Sequence, residues 1–169
     1  ALCPLGAGRV IHEALAAGIA PEAVFALSDD AVTSKQAKDH GFELILVESA
    51  ALGRVTGTRT PRGPAAIIPI PPSAPPTGRN MIVAWGLSDP GNVGTMIRTA
   101  AAFDWDFGYT EGTADPWAPK VLRAGAGGHC RLSTTPVESL QTVEDIGLAT
   151  VATVVSGGAR PADLPEGRY

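Results

Sequence analysis

Apolar and polar positions along this chain fall into two sets of strand and helix periods, separated by a proline-rich stretch. In the first set, Arg9 to Ala17 reads as a helix stopped by Gly18, followed by a strand at Val24-Phe-Ala-Leu27. A polar helix runs from about Asp29 to His40 and ends at Gly41, a residue that accepts the left-handed conformation of a helix stop. Glu43 to Val47 and Ala65 to Ile70 supply further strands, with a short helix near Ser49 to Val55 between them. This alternation predicts a small mixed sheet covered by helices.

Pro71-Pro-Ser-Ala-Pro-Pro-Thr-Gly-Arg79 forms neither helix nor central strand, and we read it as a linker between domains 1–70 and 80–169. After it comes an apolar strand, Met81 to Leu87, a helix over 92–103 and a strand over about 106–111. Helices at about 119–126 and 136–146 and a strand from Leu148 to Val155 complete the order. Strands alternating with helices imply a mostly parallel sheet, so the fold class is α/β in both parts.

The junction Asp89-Pro-Gly-Asn-Val-Gly-Thr-Met-Ile-Arg98 places an amide, two glycines and a guanidinium where a strand passes into a helix. Asn92 is an N-cap type, and Val93, Met96, Ile97, Ala100 and Ala101 recur at helical spacing to define a core-facing side. At roughly 100° per residue, Thr95 and Arg98 fall with Asn92 on the other side. Open α/β sheets bind their ligands at this end of the strands. The same sequence also makes an ordinary turn and a solvated helix face in any protein.

Asp89-Pro90, Asn92, Gly94 and Arg98-Thr-Ala, however, resemble the first signature motif of the SpoU/TrmH-type RNA ribose 2′-O-methyltransferases, knotted enzymes of the SPOUT class. Ala114-Asp-Pro-Trp-Ala-Pro-Lys-Val-Leu-Arg-Ala-Gly-Ala-Gly127 is similar to that family's Pro-Lys-Val-Leu-Arg-Ala segment, in the right order. The resemblance implies S-adenosylmethionine as cofactor, structured RNA (ribosomal rather than transfer) as substrate, and a homodimer formed through a trefoil-knot domain. It also implies that residues 1–70 are the substrate-binding domain, although Leu2-Cys-Pro-Leu-Gly-Ala-Gly8 departs from the strand and Glu-Gly with which the family usually enters it. After Tyr169 the family expects a strand, a Gly-x-Glu loop, an Ile-Pro motif and a Ser-Leu-Asn helix, which form most of the cofactor pocket. The chain thus reads as a methyltransferase interrupted before its cofactor-binding third, and a non-catalytic RNA-binding module is the alternative.

Carried over residue by residue, the resemblance makes Arg98 and Asn92 the catalytic candidates, and Gly94 a site of close approach. Arginine loses its proton only at a pKa above about 12, so stabilising a developing alkoxide and anchoring phosphate suit Arg98 better than acting as a base. Thr153 and Val154, at the end of the expected last strand, lie where the family begins its adenosine pocket. Lys120 and Arg123 fit phosphate contacts. Gly125 stands where relatives usually carry serine, and His129-Cys-Arg131 replaces a more apolar run.

A formal net charge of −4 excludes a generally sticky nucleic-acid binder, so local clusters must supply the positive charge. Arg54, Arg59 and Arg62 share a loop region without acidic neighbours, and Lys120, Arg123 and Arg131 form a second such cluster. Beside the motifs, both point to RNA. Trp117, in a Pro-flanked loop, is the aromatic best placed to stack on a base, whereas Trp105 and Tyr109 read as packing residues. His12, His40 and His129 have no metal-ligand spacing and read as surface or capping residues, so no metal is expected. Cys3 and Cys130 read as free thiols. No apolar run reaches the roughly 20 residues of a membrane span and no signal peptide opens the chain, which makes the cytoplasm the expected location. Gly6-Ala-Gly8 does not complete a dinucleotide fingerprint: the reading places no strand before it, and no third glycine follows at the required spacing.

Overall fold

Two sheets organise the chain. The computed structural model describes the backbone of residues 2–6, 8–57, 59–61 and 63–169, and the side chains of residues 10–57, 59–61, 63–160 and 162–169. The first sheet contains β1 (Leu2–Gly6), β2 (Ala23–Ala26), β3 (Leu44–Leu46) and β4 (Ala65–Pro69) in the order β1-β4-β2-β3. Strand β4 runs antiparallel to both β1 and β2, while β2 and β3 are parallel, so the sheet is mixed as the periodicity predicts. Helix α1 (Gly8–Ala16) lays Val10, Ile11 and Ala14 against Val24, Ala66 and Ile68. Helix α2 (Ala31–His40) starts at Asp30, whose carboxylate accepts the Thr33 N–H at 2.9 Å, and stops at Gly41 with φ 71°. Helix α3 (Ser49–Thr56) ends in the same way at Gly57.

The second sheet is wholly parallel: β5 (Met81–Ala84), β6 (Asp106–Tyr109) and β7 (Thr134–Pro136), with β6 in the middle. Helix α4 (Pro90–Ala102) packs across it, burying Val93 and Ile97 with Ala84, Phe107 and Val121, the last from α5 (Pro119–Gly125). Helix α6 (Leu140–Asp145) brings Val143 onto Met81, Val137 and Leu148.

Three expectations are corrected. A strand does precede Gly6: β1 finds its partner β4 some sixty residues along the chain, which local pattern does not reveal. The dinucleotide reading still fails on its missing third glycine. Residues 134–136 are strand, so the helix expected over about 136–146 does not begin there, and α6 starts only at Leu140 behind the Ser139 cap. The expected strand from Leu148 to Val155 does not form. Leu148 is buried, but among the described residues only Ala149 finds a backbone partner, the Arg168 carbonyl at 3.0 Å, and residues 149–160 are exposed. An apolar run with no neighbouring strand has no ladder to join.

The proline-rich segment is irregular but pinned to the second sheet. The buried Asp106 carboxylate accepts the Thr77 N–H at 2.7 Å and its hydroxyl at 2.8 Å, and the Thr135 hydroxyl donates to the Ala74 carbonyl at 2.8 Å. Packing also crosses the segment. Leu122 and Cys130, both from the second part, are buried in the cluster built on α1 and the first sheet, and Trp117 packs at its margin.

Candidate active site at the carboxyl edge of the parallel sheet

The amino end of α4 is set by Asp89, not by Asn92. Asp89 has extended backbone, its Oδ1 accepts the Asn92 N–H at 2.8 Å, and Pro90 occupies the first helical turn, where a missing N–H costs nothing. The capping role considered for the Asn92 side chain is therefore corrected, and its amide is left exposed. Val93, Ile97 and Ala100 are fully buried, whereas Asn92, Thr95 and Arg98 share the solvent side as the spacing requires. Arg98 is exposed and makes no ion pair among the described residues.

Gly94 explains how close α5 comes. A Cβ there would lie 2.5 Å from both the Ala124 Cβ and the Val121 carbonyl oxygen, so the approach this glycine permits is that of the neighbouring helix backbone. That contact presses the Pro-Lys-Val-Leu-Arg-Ala helix onto the Asp-Pro-Gly-Asn helix. Lys120 and Arg123, one turn apart, are exposed on α5 while Val121 and Leu122 are buried.

The loops after β5 and β6 are tied together. The Thr110 hydroxyl accepts the Gly86 N–H at 2.8 Å, the Thr113 hydroxyl donates to the Ala84 carbonyl at 3.0 Å, and the Ala114 N–H meets the Leu87 carbonyl at 2.9 Å. Between the loop after β6 and the end of β7 opens a cleft of about 550 Å³, lined by Tyr109 to Thr113, Asp115, Pro116 and Pro136 to Glu138. Glu111, Asp115 and Glu138 give it three carboxylates. A small ligand carrying positive charge, such as the sulfonium and ammonium of S-adenosylmethionine, fits both the place and the donor set.

Behind the cleft, His129 occupies the interior and corrects its assignment to the surface. It is 3% exposed, in the 3₁₀ turn Gly128–Cys130, and its Nε2 lies 2.8 Å from the Pro116 carbonyl oxygen. A carbonyl only accepts, so Nε2 carries the proton and Nδ1 is left as a bare lone pair, which has no partner among the described residues. Burial lowers its pKa from 6.5 to about 4 against the opposing effect of the Pro116 bond. The ring has room because residue 125 is glycine: a Cβ on Gly125 would sit 2.4 Å from His129 Cε1. The serine-to-glycine and apolar-to-histidine departures noticed in the sequence are thus one packing arrangement. Cys130 is a buried free thiol, pushed up to about 11 by burial and by the charge of Glu13.

The remaining candidates scatter. Arg54 and Arg59 are exposed in and after α3, which packs on the first sheet, and Arg62 lies outside the described residues. Thr153 and Val154 sit on the exposed irregular segment, not at a strand end, and do not line the cleft. Trp117, expected to stack on a base, is half-buried against the first core and tilts onto His129 at 5.3 Å between ring centroids. Trp105 and Tyr109 pack as expected, on Phe103 and Phe107. His12 and His40 are exposed, and no cluster of metal-ligating side chains exists among the described residues. No helix among them is long and apolar enough to cross a membrane. One residue was missed: Trp85, read as part of a buried strand, lies just beyond the end of β5 and is 56% exposed.

Known proteins supply the comparison. The SpoU rRNA Methylase family matches residues 79–165. The 23S rRNA (guanosine(2553)-2′-O)-methyltransferase RlmP of Bacillus subtilis is 31% identical over 130 residues, covering 75% of this chain and 52% of that protein. The human mitochondrial rRNA methyltransferase 3 is 32% identical over 135 residues, covering 73% of this chain and 32% of that protein. The chain thus spans about half, or less, of the length of these relatives. An AdoMet-bound rRNA methyltransferase from Sinorhizobium meliloti superposes with a TM-score of 0.79 over 97% of this chain and 66% of its own, at 19% identity. A crystal structure of an RNA 2′-O ribose methyltransferase gives a TM-score of 0.68 at 25% identity, over 86% of this chain and 58% of its own.

Proposed function

Because this chain belongs to the SpoU rRNA Methylase family, we propose that it takes part in S-adenosylmethionine-dependent methylation of a ribose 2′-hydroxyl in ribosomal RNA. The observation that carries this reading is the exposed Asn92, Thr95 and Arg98 side of α4, the helix that begins in the loop after the carboxyl end of β5. When bound, the cofactor supplies an electrophilic methyl group. Glu111, Asp115 and Glu138, which line the cleft, would hold its positive groups, and the Thr110 and Thr113 ties brace the loop that forms one wall.

Arg98 presents a planar, permanently charged fork, which pairs with an RNA phosphate and lowers the energy of oxyanion character on the attacking hydroxyl. Asn92 offers an amide to orient that fork or the ribose. Lys120 and Arg123 contact phosphates from α5, and Arg54, Arg59 and Arg62 do so from the first part, with residues 1–70 as the RNA-docking domain and 80–169 as the catalytic one. A homodimer working in the cytoplasm without a metal is part of the same reading. Thr153 and Val154 keep a role as cofactor contacts only with the 149–160 segment folded back toward the cleft.

The test uses the chemistry of the product. Alkaline cleavage of RNA needs a free 2′-hydroxyl, so incubation of the complete gene product with S-adenosylmethionine and ribosomal RNA should leave one linkage resistant to alkali. Binding of RNA with no resistant linkage and no calorimetric signal for the cofactor would leave a non-catalytic RNA-binding module.

A further inference from the structure

We infer that Trp85 is a stacking platform for an unpaired nucleobase of the RNA, an assignment that rests on the proposed RNA substrate. Strand β5 stops at Ala84, and the next residue turns its indole toward solvent at 56% exposure although tryptophan is among the most apolar surfaces a chain can offer. The place is the ligand-binding edge: Asp89, which starts the Asn92/Arg98 helix, follows four residues later. The backbone beside the indole is bare. A Cβ on Gly86 meets nothing within 4 Å, and one on Gly112 meets only the Gly86 Cα, at 3.8 Å. Gly86 is also held rather than loose, through its N–H to the Thr110 hydroxyl at 2.8 Å.

A flat, solvent-facing indole followed by side-chain-free backbone matches a planar base and its sugar, which need one π face and unobstructed approach. The other tryptophans are committed elsewhere, Trp105 against Phe103 and Trp117 against His129. Trp85 thereby takes the role expected of Trp117. It positions the base while Arg98 holds the backbone, and it is a binding residue that does not touch the transferred methyl.

The experiment titrates the 169-residue chain, as wild type, W85A and W85F, with an RNA hairpin carrying an unpaired loop and with a fully paired duplex of equal length. W85A should weaken hairpin binding roughly 5- to 150-fold, the range for loss of one stacked base. W85F should recover most of it, and the slope of log affinity against log salt should not change, because an indole neutralises no phosphate. Melting temperatures should agree among the three, since the side chain is exposed. Hairpin binding by W85A equal to that of wild type overturns the assignment and leaves the RNA substrate standing. A wild-type chain that binds neither RNA removes both. Loss of a dimer in W85A, seen by sedimentation, would instead make this an interface between copies.

Discussion

Replacing Gly125 by alanine should destabilise the fold, and removing the His129 ring should abolish most of that cost. The new Cβ would stand 2.4 Å from His129 Cε1 and 2.8 Å from Nδ1, whereas carbon contacts relax only at about 3.5–4.0 Å. The ring must therefore shift by about an ångström, in an interior where it is 3% exposed, and this breaks its 2.8 Å bond to the Pro116 carbonyl. Overpacking and one buried unsatisfied group each cost about 1–3 kcal/mol, so G125A, at the lower end of each, should lose at least about 2 kcal/mol. H129A loses the same bond and opens a cavity, for about 3 kcal/mol. In the double variant the alanine methyl enters the vacated space without a clash, so its loss should be close to that of H129A alone. The cycle then shows a coupling of about 2 kcal/mol. Urea unfolding of the four proteins measures it, provided that the denaturant slope stays constant. Additivity within about 0.5 kcal/mol would refute the arrangement, because residues that do not share space behave independently.

Other outcomes follow from the same geometry. Protonating His129 puts a hydrogen on Nδ1 where nothing accepts it. Its folded pKa of about 4 lies below the ordinary 6.5, so the unfolded chain binds the extra proton and stability falls as pH drops from 6.5 towards 4, by about 3 kcal/mol in all; H129F should flatten that part of a stability–pH curve, and an unchanged slope would contradict the burial. Arg98 is exposed and makes no ion pair among the described residues, so R98K should melt with the wild type yet lose about 100-fold or more in methyl transfer by the complete gene product; near-normal turnover would remove Arg98 from the mechanism. Ala126 closes α5 at φ 48°, a left-handed geometry that costs a non-glycine residue about 1 kcal/mol. A126G should therefore raise the melting temperature by a few degrees, and a decrease would show that its methyl packs usefully.

The side of α4 that carries Asn92, Thr95 and Arg98 was legible in the sequence, because thirteen consecutive residues obey one helical period and the apolar members alone fix the orientation. The helix start was misplaced by three residues: Asp89 and Asn92 are both capping types, and only the hydrogen bond between them tells which one caps. Strands β1 and β7 are set by distant partners rather than local alternation, and Pro4 and Pro136 weaken their strand character. The run from Leu148 to Val155 fails for the opposite reason, having strand-like residues and no partner. The burial of His129 was in fact written nearby, in the glycine four positions earlier that makes room for it. Trp85 escaped notice because apolar pattern places it in the strand, and only the end of β5 at Ala84 shows that it has left.

Leu122, Cys130 and Trp117 reach from the C-terminal half into the hydrophobic cluster of the N-terminal half. The proline-rich stretch between the halves is consequently no cutting line. Grafting a foreign N-terminal domain onto residues 80–169 would leave these three side chains facing a surface never shaped for them, so a working chimera has to transplant the seat together with the rider.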